Sequence, residues 1–379
     1  MEGRTEMTES TVGSDYVPVL VHSEVEDDLR AAVRDLLARR IDETTLIGAY
    51  DGAQQPDLWP EMAGLGLAGL LIAEEHGGAG ATPAVAAVVL DELGALPART
   101  PMLTSAVIAT TVLTALGDDE RGSTALLPGL ADGTTVAALA VPFSTAPYSA
   151  VTTVSAANGR LSGRVPGVAG AEAADILLVP GSDGALYAVD AAAAIVEPVV
   201  SLDMTRPISD LSFADAPGRR LTDDGADAVR AGLTMGAALL ASEQAGIARR
   251  CVRTTVDYLQ ARRQFGRVVG GFQAVKHRLA DLYADAEQSA AIARAAAVTI
   301  TDRGVDDHES ALTAAVAAAY CSDLAVRAAE ESVQLHGGIG MTWEHPAHLY
   351  LKRAKADQIA LGSPGRHRRA LADLARLPA

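Results

Sequence analysis

A mainly helical α+β fold is predicted, ordered as helices, a small β-domain, then a long helical bundle. Three observations predict it. Composition is the first: 49% of residues are hydrophobic, only 4% are aromatic, and alanine is abundant. That mixture favours closely packed helices with small contact residues over a ring-rich sandwich. The second is a change of pattern between residues 136 and 222, where helical spacing gives way to short apolar runs and turn pairs. The third is a proline-free run from Gly218 to His345, room for several long helices.

The boundaries expected are a flexible N-terminus over 1–20, a helical domain over 21–135, a middle antiparallel β-domain over 136–222 and an antiparallel four-helix-type bundle over 223–379. In the first helical domain, Val25, Leu29, Val33, Leu36 and Leu37 recur near a 3.6 period, predicting a helix over Val25–Arg39. Asp57-Leu58-Trp59-Pro60 opens another helix that runs into Gly64-Leu65-Gly66. Glu74-Glu75-His76-Gly77-Gly78-Ala79-Gly80 reads as a glycine-rich turn. Thr82-Pro83 suits a helix start, threonine as cap and proline in the first turn, with the helix reaching about Leu96. Further helices are expected at 103–116 and 119–131.

In the β-domain, strands are expected at Val136–Val141, Val151–Val154, Asp175–Val179, Leu186–Val189, Val196–Leu202 and Ile208–Phe213, with a hairpin at Asn158-Gly159. Beyond it, Asp223 or Asp224 is the expected cap of a helix reaching about Arg263, followed by helices at 272–302, 309–336, 346–360 and 366–375. Short connections between long helices predict antiparallel neighbours.

The net charge of −17 argues against nucleic acid as a partner and against docking on an anionic membrane. One basic cluster, Arg366, His367, Arg368 and Arg369, could hold phosphates or complement the dipole of its own helix. Cys251 and Cys321, the only cysteines, lie in predicted helices and read as reduced, buried thiols of a cytoplasmic protein. Met1–Tyr16 is polar and acidic, without the apolar core of a signal peptide, and no run of apolar residues predicts a membrane span.

Two glycine-marked motifs carry chemistry. Arg262-Arg263-Gln264-Phe265-Gly266 ends the first long bundle helix, with Tyr258 before it and Phe272-Gln273 and Leu279-Ala280-Asp281 after it. Gln334-Leu335-His336-Gly337-Gly338-Ile339-Gly340 ends the third, followed by Glu344, Pro346 and Arg353. A guanidinium at Arg262 can fork onto two phosphate oxygens, and such charge-assisted bonds are worth roughly 1.5–3 kcal/mol. Phe265 can lie against a flat ring system, and Gly337 and Gly338 allow close backbone approach to a pyrophosphate. His336 alone reads as a capping or core histidine rather than a ligand.

The type and spacing of these motifs resemble the acyl-CoA dehydrogenase family, as do Leu58-Trp59, Gly64-Leu65-Gly66, Glu74-Glu75 with its glycines, and Glu92-Leu93-Gly94. The resemblance covers most of the chain and implies FAD as cofactor and an acyl-CoA thioester as substrate. A flavin held largely by a neighbouring subunit would be reached by Arg262, Phe265, Gln273, Gln334, Gly337 and Gly338, with Ser363 a further cofactor contact. It also implies an electron-transfer protein as acceptor.

The chain departs from that family where the base should stand. The usual glutamate precedes a Gly-Thr or Gly-Ser pair; here Gly362-Ser363 is preceded by Leu361. The alternative base position, 29 residues before the motif phenylalanine, is Gly236, and the next residue is Ala237. Glu243, two turns further along, is the remaining candidate base, set against a packing or capping role. The family's flavin-lining loops correspond to Pro142–Pro147 and Arg164–Val168, without the family's tryptophan or its Gly-Ser-Asp. This resembles the base-less subunit of heterotetrameric acyl-CoA dehydrogenases of bacterial steroid side-chain breakdown. A homo-oligomeric flavoprotein with altered chemistry or a carrier-protein-bound substrate, and a non-catalytic scaffold subunit, are the alternatives.

Overall fold

A computed structural model describes residues 16–50, 55–117 and 121–376. Residues 1–15 of the expected flexible N-terminus, and the start of the expected 119–131 helix, lie outside the described residues.

The N-terminal part is built from α1 (Glu24–Arg40), α2 (Glu43–Tyr50), α3 (Trp59–Gly64), α4 (Pro83–Ala95), α5 (Thr110–Leu116) and α6 (Leu127–Ala131). Ser23 caps α1 through a capping box with Glu26, and Thr82 caps α4 with Pro83 in the first turn. Sequence reading missed α2. It also missed that Met102–Ala109 is π-helical, fully buried and continuous with α5; wide-turn helices of this kind are frequent at functional sites.

Among the described residues ten strands follow, eight of them in the middle domain: β1 (Ala137–Leu139), β2 (Ser155–Ala157), β3 (Arg160–Ala169), β4 (Ile176–Pro180), β5 (Leu186–Asp190), β6 (Ile195–Val199), β7 (Ile208–Pro217) and β8 (Arg219–Thr222). They form two four-stranded sheets, ordered β1-β4-β5-β8 and β2-β3-β7-β6. Tyr187, Val189, Val165, Leu211 and Phe213 pack between them. The named strands of the middle domain pair antiparallel except that β1 pairs parallel to β4. Val151–Val154 is not a strand; only Val154 bridges, to Gly181.

The bundle comprises α7 (Ala226–Ala261), α8 (Gln273–Arg303), α9 (His308–His336), α10 (Ala347–Ile359) and α11 (Pro364–Leu374). Gly225 rather than Asp223 or Asp224 sits at the cap of α7, although the Asp224 carboxylate accepts from the Ala226 N–H at 3.2 Å. α7 stops at Ala261 because Arg262 turns extended into a hairpin, β9 (Arg263–Gln264) against β10 (Arg267–Val268).

Helices α4 and α7 touch backbone to backbone. A Cβ on Gly94 would fall 1.9 Å from the Glu243 carbonyl oxygen, and one on Gly246 would fall 2.0 Å from that of Asp91. The crossing therefore requires glycine on both helices. The basic residues of α11 stand in its first turns, so they do not complement its C-terminal dipole; His367 is buried and Arg368 pairs with Asp323. The stretch His308–Met341 is long and apolar enough to cross a membrane by length and composition, and 61% of its window is buried among the other helices.

Candidate flavin and acyl site

The two glycine motifs meet where α7 and α9 end side by side. The Thr255 hydroxyl donates to the Cys251 carbonyl at 2.7 Å and accepts from the Ser332 hydroxyl at 3.0 Å, and one turn on the Tyr258 ring stacks on His336 at 4.5 Å. His336 is buried, its Nδ1–H donating to the Ser332 carbonyl at 2.7 Å, and its ring also meets His345 at 4.4 Å. It is thus the core histidine expected.

Beyond this stack the motif residues face outward. Phe265 and Gly266 take left-handed backbone (φ 52° and 73°) at the tip of the β9–β10 hairpin, leaving the Phe265 ring 91% exposed. Arg262, Gln273, Gln334, Gly337 and Gly338 are exposed as well. Arg262 has no ion-pair partner among the described residues. At Gly337 and Gly338 a Cβ would meet nothing within 4 Å, so the end of α9 offers bare backbone on open surface. An unpaired guanidinium, a presented ring and uncovered glycines fit one half of a dinucleotide site.

Ser363 is elsewhere, at the start of α11 beside the interior of the fold. The structure brings Leu361 and Gly236 together: a Cβ on Gly236 would lie 3.0 Å from Leu361 Cδ1 and 2.8 Å from Ile108 Cγ1. Both expected base positions thus lie against the same apolar side chains, Ile108 and Leu361, and little room remains beside them. Thr104, Ile108, Leu139, Val141, Phe143, Ala169, Leu233 and Leu361 surround about 20 Å³, room for roughly one water. Leu361 holds left-handed backbone (φ 53°), its N–H donating to the Phe143 carbonyl at 2.7 Å.

On the far side of Phe143 a largely apolar cleft of about 880 Å³ opens between the β-domain and α10, lined by Pro166, Gly167, Leu202, Arg206, Ile208 and Ile359 among others. Its polar wall is a buried ion cluster. Arg206 donates to Glu243 and to Asp357, both at 2.5 Å; Arg353 pairs with Asp203 at 2.9 Å and with Glu243 at 3.2 Å, and donates to the Ala98 carbonyl at 3.3 Å. Glu243, the candidate base, is 1% exposed inside this cluster, with a guanidinium on each side, and does not line the closed pocket. Three carboxylates, of Asp203, Glu243 and Asp357, face two guanidiniums. Burial pushes Asp357 up, to about 8, with Arg206 pulling it down and Glu243 pushing it up. Sequence reading missed Asp203, Arg206 and Asp357; no local pattern marks residues joined across about 150 positions.

The turn at Leu361-Gly362 is clamped from the β-domain. His367 Nε2 lies 3.1 Å from the Gly362 carbonyl, which can only accept, so Nε2 carries the proton and Nδ1 accepts from the Tyr148 hydroxyl. Burial lowers His367 to about 4 and raises Tyr148. A histidine held neutral in the fold contributes stability that is lost as pH falls from about 6.5 toward 4, by up to about 3 kcal/mol. His367→Gln is expected to flatten this acid limb in unfolding measured between pH 7 and pH 4. An unchanged slope would show that His367 is not the group responsible.

Both cysteines are free and buried, their thiols pushed up to about 12 by burial, as their positions in helices led us to expect.

Comparison with known proteins gives the family. The model of the acyl-CoA dehydrogenase N-terminal domain matches residues 23–134, and that of the C-terminal domain matches 223–375. The chain belongs to the acyl-CoA dehydrogenase family. It is 35% identical over 339 residues to acyl-CoA dehydrogenase IpdE2 of Mycobacterium tuberculosis, covering 89% of this chain and 92% of that one. It is also 35% identical over 314 residues to acyl-CoA dehydrogenase FadE34 of the same organism, covering 80% of this chain but only 40% of that longer relative. Among solved structures, a variant of the Tcur3481-Tcur3483 steroid ACAD superposes with a TM-score of 0.80 at 28% identity, covering 93% of this chain and 98% of that one. The ChsE4-ChsE5 complex from Mycobacterium tuberculosis superposes with a TM-score of 0.83 at 25% identity, covering 95% and 100%.

Proposed function

We propose that this chain is the subunit of a heteromeric, cytoplasmic, FAD-dependent acyl-CoA dehydrogenase that completes a flavin site, while a homologous partner supplies the glutamate base. The domain boundaries at 21–135, 136–222 and 223–379 are part of the same reading. One observation carries it: the residues suited to a dinucleotide face outward, whereas both base positions of this chain lie against the same apolar side chains with little room beside them.

Arg262 would fork onto the diphosphate, Phe265 would lie on a ring face, Gln273 and Gln334 would supply hydrogen bonds, and Gly337 and Gly338 would admit the phosphates against backbone. Ser363 stands at the interior end, where it would meet a flavin only in this chain's own cleft. The bound flavin supplies hydride acceptance. The partner's carboxylate would remove the α-proton of the thioester, a step no group of this chain's pocket can perform. Exposed Phe265, Ile339, Met341 and Trp343 around the motifs form the kind of apolar surface that a second subunit covers. Neighbours described as a steroid ACAD and as a two-chain complex support a steroid-derived acyl-CoA substrate and a heteromer. An electron-transfer protein would reoxidise the flavin.

The test is expression alone and together with a glutamate-bearing homologue. The chain alone is expected to be colourless and inactive with a dye acceptor; the pair is expected to be yellow and active. Arg262→Ala in the assembled pair should weaken flavin retention roughly 10- to 100-fold, the equivalent of one charge-assisted bond. A yellow, active single chain would overturn the heteromer, and unchanged flavin occupancy in Arg262→Ala would overturn the role of the motif.

A further inference from the structure

We infer that Tyr258, His336 and His345 are positioning residues: their ring stack holds Arg262 in place beside Gly337 and Gly338, and acid loosens it. That this serves a flavin rests on the function proposed above; the stack itself belongs to this chain alone.

The two halves of the motif end different helices, so their spacing has to be set by contacts between those helices. Arg262 follows α7, and Gly337 follows α9. The Arg262 N–H donates to the Tyr258 carbonyl at 2.9 Å. The Tyr258 ring in turn lies on His336, centroids 4.5 Å apart and planes 29° from parallel. His336 is the last residue of α9 and directly precedes Gly337. One ring contact therefore joins the residue that anchors the arginine to the residue that carries the glycines. The chain beyond the glycines folds back onto the same residue: a Cβ on Gly340 would fall 2.9 Å from His336 Cβ and 2.5 Å from the Val333 carbonyl oxygen.

His345 closes the stack. Its centroid lies 4.4 Å from that of His336, and its Nδ1 accepts at 3.2 Å from the N–H of Ala347, the first residue of α10. A backbone N–H can only donate, so this bond requires an Nδ1 without a proton. A proton there takes the acceptor away from the start of α10 and sets a cation beside a second imidazole. The titratable groups that face His345 are His336 on α9, His348 on α10 and Glu43 on α2. Glu43 is itself held by Arg250 at 3.1 Å, and Lys352 acts on His348. Burial first, then His336, lowers the His345 pKa, with Glu43 acting the other way. The fold thus selects the neutral ring. The stack is intact at neutral pH and is lost as pH falls below the ordinary imidazole value of about 6.5.

The experiment uses the chain assembled with a glutamate-bearing homologue and loaded with FAD, with retained flavin measured on dilution at pH 7.5 and pH 5.5. Both lie above the range near 4 in which His367 titrates. Retention is expected to weaken on acidification, by no more than about tenfold per pH unit, the limit for one proton. His345→Asn keeps an acceptor for Ala347 without a titrating ring and should flatten that loss. Tyr258→Leu should weaken retention roughly 3- to 10-fold at pH 7.5, the size of one lost ring contact, and Tyr258→Phe should restore it. An acid loss as steep in His345→Asn as in the natural chain would overturn the acid response, and equal retention in Tyr258→Leu and Tyr258→Phe would overturn the positioning. Hydrogen exchange of the Arg262 amide in the chain by itself needs no flavin. Tyr258→Leu is expected to speed it several-fold relative to Tyr258→Phe, and equal rates would sink the positioning whatever the cofactor. Faster exchange in Tyr258→Leu while the natural pair stays colourless would uphold the stack and sink the flavin reading instead.

Discussion

Arg353→Met is expected to destabilise the protein by about 3–5 kcal/mol, the usual consequence of removing one partner from a buried charge network. Arg353 is 2% exposed and is among the largest fully buried side chains. It joins three parts of the chain: Asp203 after β6, Glu243 on α7 and the Ala98 carbonyl after α4. Methionine keeps most of the volume but leaves Asp203 and Glu243 with Arg206 as the only other guanidinium of the cluster. The comparison is Arg278→Met, which removes the half-exposed α8–α9 pair with Glu331 at 2.6 Å. That variant should change stability by no more than about 1 kcal/mol. Denaturant unfolding of the two variants side by side decides it, and equal effects would mean that the cluster does not hold the β-domain to the bundle.

Leu361→Glu, which writes the family's base back into its usual place, is expected to cost several kcal/mol and to restore no activity in the isolated chain. The pocket around Leu361 holds about 20 Å³ and offers no cation, only the Thr104 hydroxyl among apolar side chains. A carboxylate forced into such a site without a partner is penalised by several kcal/mol and holds its proton at neutral pH, so it cannot accept one from substrate. Its backbone is no obstacle to the reading, because the Leu361 N–H remains bonded to Phe143. The measurement is a fall in Tm together with dye reduction in the presence of acyl-CoA. A stable, active Leu361→Glu chain would show that the acyl pocket opens readily and that only the missing carboxylate silences it.

Much of the fold could be read from residues close together in sequence. Ser23 with Glu26, Thr82 with Pro83, and the Asn158-Gly159 turn act within a few residues, so their elements fall where expected. The π-helical stretch at Met102–Ala109 could not be read, because its apolar residues suit any buried helix and only packing selects the wider turn. The parallel pairing of β1 with β4 could not be read either, since strand direction depends on the path of a connection some 35 residues long rather than on local propensity. The need for glycine at 94 and 246 could not be read either, since each faces a carbonyl of the other helix, Glu243 and Asp91, across a crossing of α4 and α7.

The sequence by itself determined the family, the order of helices and strands, the two glycine-marked motifs and the absence of a carboxylate at 361 and 236. All of these rest on residue type and spacing along one chain. Only the tertiary structure decided that positions 361 and 236 meet among apolar side chains, that little room remains beside them, and that Glu243 is bound between Arg206 and Arg353. The physical reason is that burial and ion pairing depend on which distant groups meet, and a side chain's chemistry is set by those neighbours rather than by its own identity.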